Sequence, residues 1–147
     1  MQLAEARPTL SVRPRAVPLQ RSLLLLEPYF VLRQTVSSVA NDLGIARIHQ
    51  AVSFEAARHL MKGRPFDGLV LAIGEDQREI DLIRCLRASE SESLPTIPVA
   101  VMTAECDAGM VLVFRELQVS RILLKPFKVK TIIETISQMV ESTPLPH

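Results

Sequence analysis

Four short apolar runs in this sequence end in side chains of very different chemistry. The run at 22–26 is followed by Glu27 and Pro28, that at 68–73 carries Ala72 at its end and Gly74 just beyond, that at 97–102 is followed by Thr103, and that at 121–124 by Lys125 and Pro126. Loops leaving strand ends are where chemistry usually collects. An ammonium at such a position needs a counter-charge, and Glu27 can supply it, so a Glu27–Lys125 ion pair is expected. Ala72 offers only a methyl group, which cannot act as a nucleophile. Glu75 and Asp76 follow in a polar loop, where carboxylates are ordinarily solvated charges. His49 and His59 fall on different elements without a third ligand, so no metal site is expected. Cys85 and Cys106 are too few for a disulfide framework and have no adjacent base or cation pattern to activate a thiol. No cofactor is expected, and no enzyme.

These groups are positioned by alternating elements. Apolar runs at 22–26, 46–51, 68–73, 97–102 and 121–124 read as strands, and helical periods fill 29–43, 54–61, 79–88, 106–117 and 129–140. Gly44 stops the first helix, Ser53 can cap the second, and Gly63 with Pro65 closes it. Five such units argue for a parallel sheet covered on both faces. In open sheets of this kind ligands gather beyond the carboxyl ends of the strands, which are the positions named above.

A chain of 147 residues is one domain of ordinary size, able to bury a core without disulfides or metal. With 48% apolar and 22% charged residues and a formal charge of +1, it has no general pull toward nucleic acid or membrane. The run Leu23–Leu26 is far below the roughly 20 apolar residues a membrane helix needs. Residues 1–21 carry Arg7, Arg13, Arg15 and Arg21 among Pro8, Pro14 and Pro18, with one acid, Glu5. This reads as a disordered, solvated tail, although transit peptides share an arginine-rich, acid-poor composition. The body spans 22–141, residues 142–147 form a second tail, and a reduced cytoplasmic setting is the simplest reading.

Three stretches, in this order, carry a resemblance: FDGLVLAIG (66–74), IPVAVMTA (97–104) and ILLKPF (122–127). They resemble the acceptor strand, the fourth strand with its hydroxyl residue, and the Lys-Pro signature of two-component response-regulator receiver domains, the CheY-like family. The likeness covers roughly residues 21–141. It implies a doubly wound, flavodoxin-like (βα)5 fold with strand order 2-1-3-4-5, and a cis Lys125–Pro126 bond. It also implies losses. The family's phosphoryl-accepting Asp ends the third strand, where this chain has Ala72. The acidic pair that holds a divalent ion is replaced by Glu27 and Pro28, and magnesium is recruited by carboxylates that Pro28 does not have. Thr103 and Lys125 keep the pattern of the phosphoryl-contacting hydroxyl and ammonium. Three residues before Lys125, the family's mobile aromatic switch is replaced by Ile122, which has neither ring nor polar tip.

The expectation is therefore a stand-alone degenerate receiver. Its vacated pocket comprises Glu27, Pro28, Ala72, Gly74, Thr103, Lys125 and Pro126, and it acts by phosphorylation-independent protein contact. Partners would be a sensor kinase, another regulator, or a second copy as a homodimer. The roughly seven residues after the fifth helix are too few for a DNA-binding helix-turn-helix. Met110 to Phe114 are five consecutive apolar residues on one helix, so some face outward. Met110, Val111, Phe114 and Ile122 form the expected partner face, with Val111 and Phe114 as anchors. Tyr29, Phe30 and Val31 are a second candidate face, most of it expected in the core. Two rival readings are a ligand-binding regulator, for example of a cyclic dinucleotide held in the pocket or by the arginine-rich tail, and a receiver still phosphorylated on another carboxylate such as Glu75 or Asp76.

Overall fold

Each apolar run becomes a strand and each helical period a helix in the computed structural model, which describes residues 20–142. The order is β1 (Ser22–Leu26), α1 (Phe30–Asp42), β2 (Arg47–Ala51), α2 (Phe54–Gly63), β3 (Gly68–Ile73), α3 (Ile80–Arg87), β4 (Val99–Thr103), α4 (Ala108–Glu116), β5 (Arg121–Leu124) and α5 (Val129–Ser142). All pairings are parallel and the sheet order is β2-β1-β3-β4-β5, as expected. Of the expected tails, residues 1–19 and 143–147 lie outside the described residues. Two boundaries need correction. Arg21 belongs to the body, being buried and accepting Arg47 N–H on its carbonyl at 2.8 Å, and Ser142 still belongs to α5.

Side chains alternate across a strand, so the buried leucines of β1 divide between two cores. Leu23 and Leu25 join Val70, Ala72, Ala100 and Met102 beneath α1 and α5, where Val36, Ala40, Ile132 and Ile136 meet them. Leu24 and Leu26 join Leu69, Leu71 and Ile73 against α2, α3 and α4, through Met61, Ile83, Leu86 and Phe114. Burial on both faces explains why β1 and β3 read as unbroken apolar runs. Gly68 starts β3 because a Cβ there would stand 2.8 Å from Leu23 Cδ2.

Helix starts follow their caps. Ser53 Oγ accepts Ala56 N–H at 3.1 Å, and Asp107 Oδ1 accepts Met110 N–H at 2.8 Å. Because Asp107 takes the cap position, α4 begins at Ala108 rather than at Cys106. Pro98 has no N–H to give the ladder, which moves the start of β4 to Val99 and carries that strand through Thr103. Arg87, at the end of α3, ties the opposite end of the sheet together: its guanidinium donates to the carbonyls of Pro95, Ile97, Leu117 and Gln118. No helix among the described residues is long and apolar enough to cross a membrane.

Candidate functional site

Beyond the carboxyl ends of β1, β3, β4 and β5 the chain leaves a cleft of about 900 Å3. The fold brings Glu27, Pro28, Ala72, Gly74, Thr103 and Lys125 to its walls, so six of the seven expected pocket residues meet there. The seventh, Pro126, follows Lys125 through a cis peptide bond and is exposed.

Glu27 organises the cleft. Its carboxylate is fully buried, with Oε1 2.8 Å from Lys125 Nζ and Oε2 accepting Tyr29 N–H at 3.1 Å. The expected Glu27–Lys125 pair is thus present, linking the end of β1 to the end of β5 across the intervening strands. The Tyr29 ring lies over the same ammonium, 5.2 Å from centroid to Nζ. Arg33, a buried residue of α1, donates to the carbonyls of Glu27 at 2.9 Å and Pro28 at 3.3 Å, and to Gln50 Oε1 at 3.1 Å. It fixes the turn that aims Glu27 inward.

Ala72 stands at 7% exposure, opposite Met102 in the ladder, and its methyl belongs to the core beneath α1 and α5. Thr103 does not turn its hydroxyl to Lys125; Oγ1 donates to the Glu105 carbonyl at 2.8 Å, while the Thr103 carbonyl accepts Lys125 N–H at 2.8 Å. In the loop after β3, Gly74 N–H donates to Glu79 Oε1 at 3.0 Å and Arg78 N–H to Asp76 Oδ1 at 3.3 Å. Those carboxylates fold onto their own loop. Arg78 closes the far rim, paired with Glu55 and stacked 4.3 Å over the Phe54 ring. A hydrogen bond from its own backbone amide, and then the Arg78 contact, hold the exposed Glu55 carboxyl below its usual range.

A receiver site holds a divalent ion through carboxylate oxygens, and the residues here do not fit one. Ala72 and Pro28 have no side-chain oxygen, and both Glu27 oxygens already have donors. Among the described residues no group of three or more His, Cys, Asp or Glu side chains is arranged to hold a metal. Burial raises both thiols, Cys85 with help from Glu90 and Cys106 with help from Asp107, so neither is biased toward the reactive thiolate.

Two surface expectations are corrected. Phe114 is not a partner anchor: it is fully buried beneath the sheet, with Met110 four residues earlier also buried, because the two share the inward side of α4. Val111 is half-buried and Leu112 is the exposed residue of that run; Ile122 packs against the same core. The start of α1 goes the other way. Tyr29, Phe30 and Val31 are 71%, 64% and 74% exposed, since the inward stripe of α1 is Arg33, Val36, Ser37 and Ala40.

No family model matches the chain. Over 120 residues it is 26% identical to the chemotaxis protein CheY of Pseudomonas aeruginosa, covering 81% of this chain and 95% of that one. It is also 26% identical over 120 residues to CheY-3 of Vibrio cholerae, with 91% of that protein covered. The chain has the fold of CheY-like receiver domains. Its backbone superposes on the non-phosphorylated HemR receiver domain of Leptospira biflexa with a TM-score of 0.74 at 24% identity, covering 87% of this chain and 99% of that one. A response regulator from Thermotoga maritima gives 0.71 at 18% identity, over 84% and 100%. The receiver domain's sheet order and its strand-end cleft are both present, around a methyl group and an ion pair.

Sequence reasoning missed Arg33 and the Tyr29 ring over Lys125. The signal for Arg33 was its place in the stripe 33, 36, 37, 40, where a charged residue looked out of step. Nothing in the sequence marked Tyr29 beyond its position two residues after Glu27.

Proposed function

We propose that this chain works in two-component signalling as a receiver domain that docks on a protein without being phosphorylated, and that it is not an enzyme. The carrying observation is the cleft floor: Ala72 presents a methyl where a phosphoryl acceptor would stand, and Lys125, the cation that would meet the phosphoryl group, is already neutralised by a buried Glu27. Phosphoryl transfer depends on a positioned nucleophile and on charge neutralisation, usually by metal, and these residues supply neither. The carboxylates of Asp76 and Glu79 serve their own loop, which favours this reading over a displaced acceptor. Half-buried Ile122, packed against the core, gives no aromatic switch to report on the cleft.

Output then passes through surface in its standing conformation. The exposed apolar residues at the start of α1, Tyr29, Phe30 and Val31, are the best-supported face, and Leu112 with Leu124 near the β5 edge is the second. A sensor kinase, another regulator or a second copy in the cytoplasm is the partner class. The test is affinity capture of partners from the native cell with the wild type, Val31→Asp and Leu112→Asp, each first shown to be folded. Loss of one specific partner with Val31→Asp supports the α1 face. Loss with Leu112→Asp alone moves the face to α4 and β5, and an unchanged partner set for both refutes contact through either.

A further inference from the structure

The edge strand β2 holds a histidine among cations. His49 shares the α2-facing side of that strand with Arg47 and Ala51, because side chains alternate across a sheet. Arg64, the residue that closes α2, reaches back to the ring, with Nη1 3.4 Å from His49 Nδ1. An arginine has only donors, so this contact exists only while Nδ1 is a bare acceptor and the ring proton sits on Nε2. Phe66 completes the cluster. Itself buried, it meets the His49 ring edge-on at 5.5 Å and carries the Arg64 guanidinium 5.4 Å from its centroid.

The cluster lacks a counter-charge among the described residues. Opposite His49 in the ladder, β1 offers Leu24. Arg64 and Arg47 are the charged groups that face the ring, and neither has an ion pair among the described residues. Asp67, the carboxylate nearest to Arg64 along the chain, accepts Ser22 N–H at 2.8 Å. Burial, then Arg64, then Arg47 hold the His49 pKa below its ordinary 6.5, so the ring is neutral near pH 7.

A proton on Nδ1 sets donor against donor and cation against cation. Arg47 is exposed and can turn to water. Arg64 is half-buried, and its Nε, like His49 Nε2, is buried without a hydrogen-bond partner, so release rehydrates a donor that the contact leaves orphaned. We propose that His49 and Arg64 form an acid-released latch: the neutral ring holds the end of α2 on β2, and protonation frees the Arg64 guanidinium from Phe66 and loosens residues 63–66. Phe66 N–H donates to Ser93 Oγ at 2.8 Å and Glu92 N–H to the Met61 carbonyl at 3.2 Å, so the loop before β4 is the next element to feel the release. At its other end α2 presents Phe54 and Glu55 to the cleft rim. This inference goes beyond the phosphorylation-free reading and does not depend on it.

The experiment follows the full chain by NMR from about pH 8 to about pH 5, reading the His49 ring, the Arg64 Nε–H and the Arg64 amide, with exchange rates corrected for their intrinsic pH dependence. The latch predicts a ring midpoint below 6.5 and, through that same midpoint, loss of protection at both Arg64 sites by up to about tenfold per pH unit. His49→Gln supplies an acceptor that does not titrate, so Arg64 should stay protected down to about pH 5. Arg64→Met should raise the ring midpoint toward 6.5. Arg64 protection that is constant through the ring midpoint overturns the inference, as does an equal loss in His49→Gln or a ring midpoint that Arg64→Met leaves in place. Protection lost at every amide together assigns the acid response to global unfolding and overturns the latch.

Discussion

Replacing Lys125 by Met tests whether the Glu27–Lys125 pair is a structural element of the cleft. Methionine keeps most of the apolar stem and removes the ammonium, leaving a fully buried carboxylate whose one remaining donor is Tyr29 N–H. Breaking a buried pair by removing one partner costs about 3–5 kcal/mol. Lys125 is itself 25% exposed and the cleft admits water, which trims the figure, while loss of the contact with Tyr29 adds a fraction back; about 3 kcal/mol is expected. Glu27→Gln keeps an acceptor for Tyr29 N–H and frees the ammonium to turn to solvent, for a cost of about 1–2 kcal/mol. The double variant should cost little more than Glu27→Gln alone, so the cycle predicts a coupling of about 2 kcal/mol. Urea unfolding at neutral pH reads this directly: at a slope of about 2 kcal/mol per molar, Lys125→Met lowers the midpoint by about 1.5 M. A variant within about 0.5 kcal/mol of wild type, or a cycle without coupling, would refute the reasoning.

Two further outcomes follow from burial and charge. Phe114→Ala should lose about 3–5 kcal/mol in the same assay, whereas Leu112→Ala should stay within about 0.5 kcal/mol; similar losses for both would mean that α4 is rotated from the orientation described. His49 has its pKa lowered from 6.5 by burial, then by Arg64 and Arg47. The unfolded chain therefore binds more protons in the window just below pH 6.5, so stability falls as pH drops through that window and levels off below the folded-state pKa. His49→Gln should remove this component, and NMR titration of the ring should give a midpoint under 6.5; a midpoint at or above 6.5 would contradict it.

The fold was legible because its signals agree at every level. The leucines of β1 and the run GLVLAI of β3 could only be central strands buried on both faces, and Gly44 and Ser53 closed and opened the helices they were expected to. The pocket residues were legible through strand ends, which parallel topology gathers on one side of the sheet. Orientation about a helix axis was not. Met110 to Phe114 are apolar all round α4, so no period chose Phe114 for the core and Leu112 for solvent; packing against the sheet did. At α1 the exposed trio Tyr29–Phe30–Val31 occupies the cap and first turn, ahead of the inward stripe, and that stripe is disguised by an arginine and a serine. The hydrogen bonds that turn Asp76, Glu79 and Thr103 onto local backbone depend on loop geometry, which composition does not encode.

Intact mass spectrometry after incubation with a small phosphodonor and magnesium tests the central claim most directly. The account predicts an unmodified mass for the wild type under conditions that phosphorylate a receiver possessing its acceptor Asp. A stable added phosphoryl group on the wild type, mapped to any carboxylate lining the cleft, would contradict it.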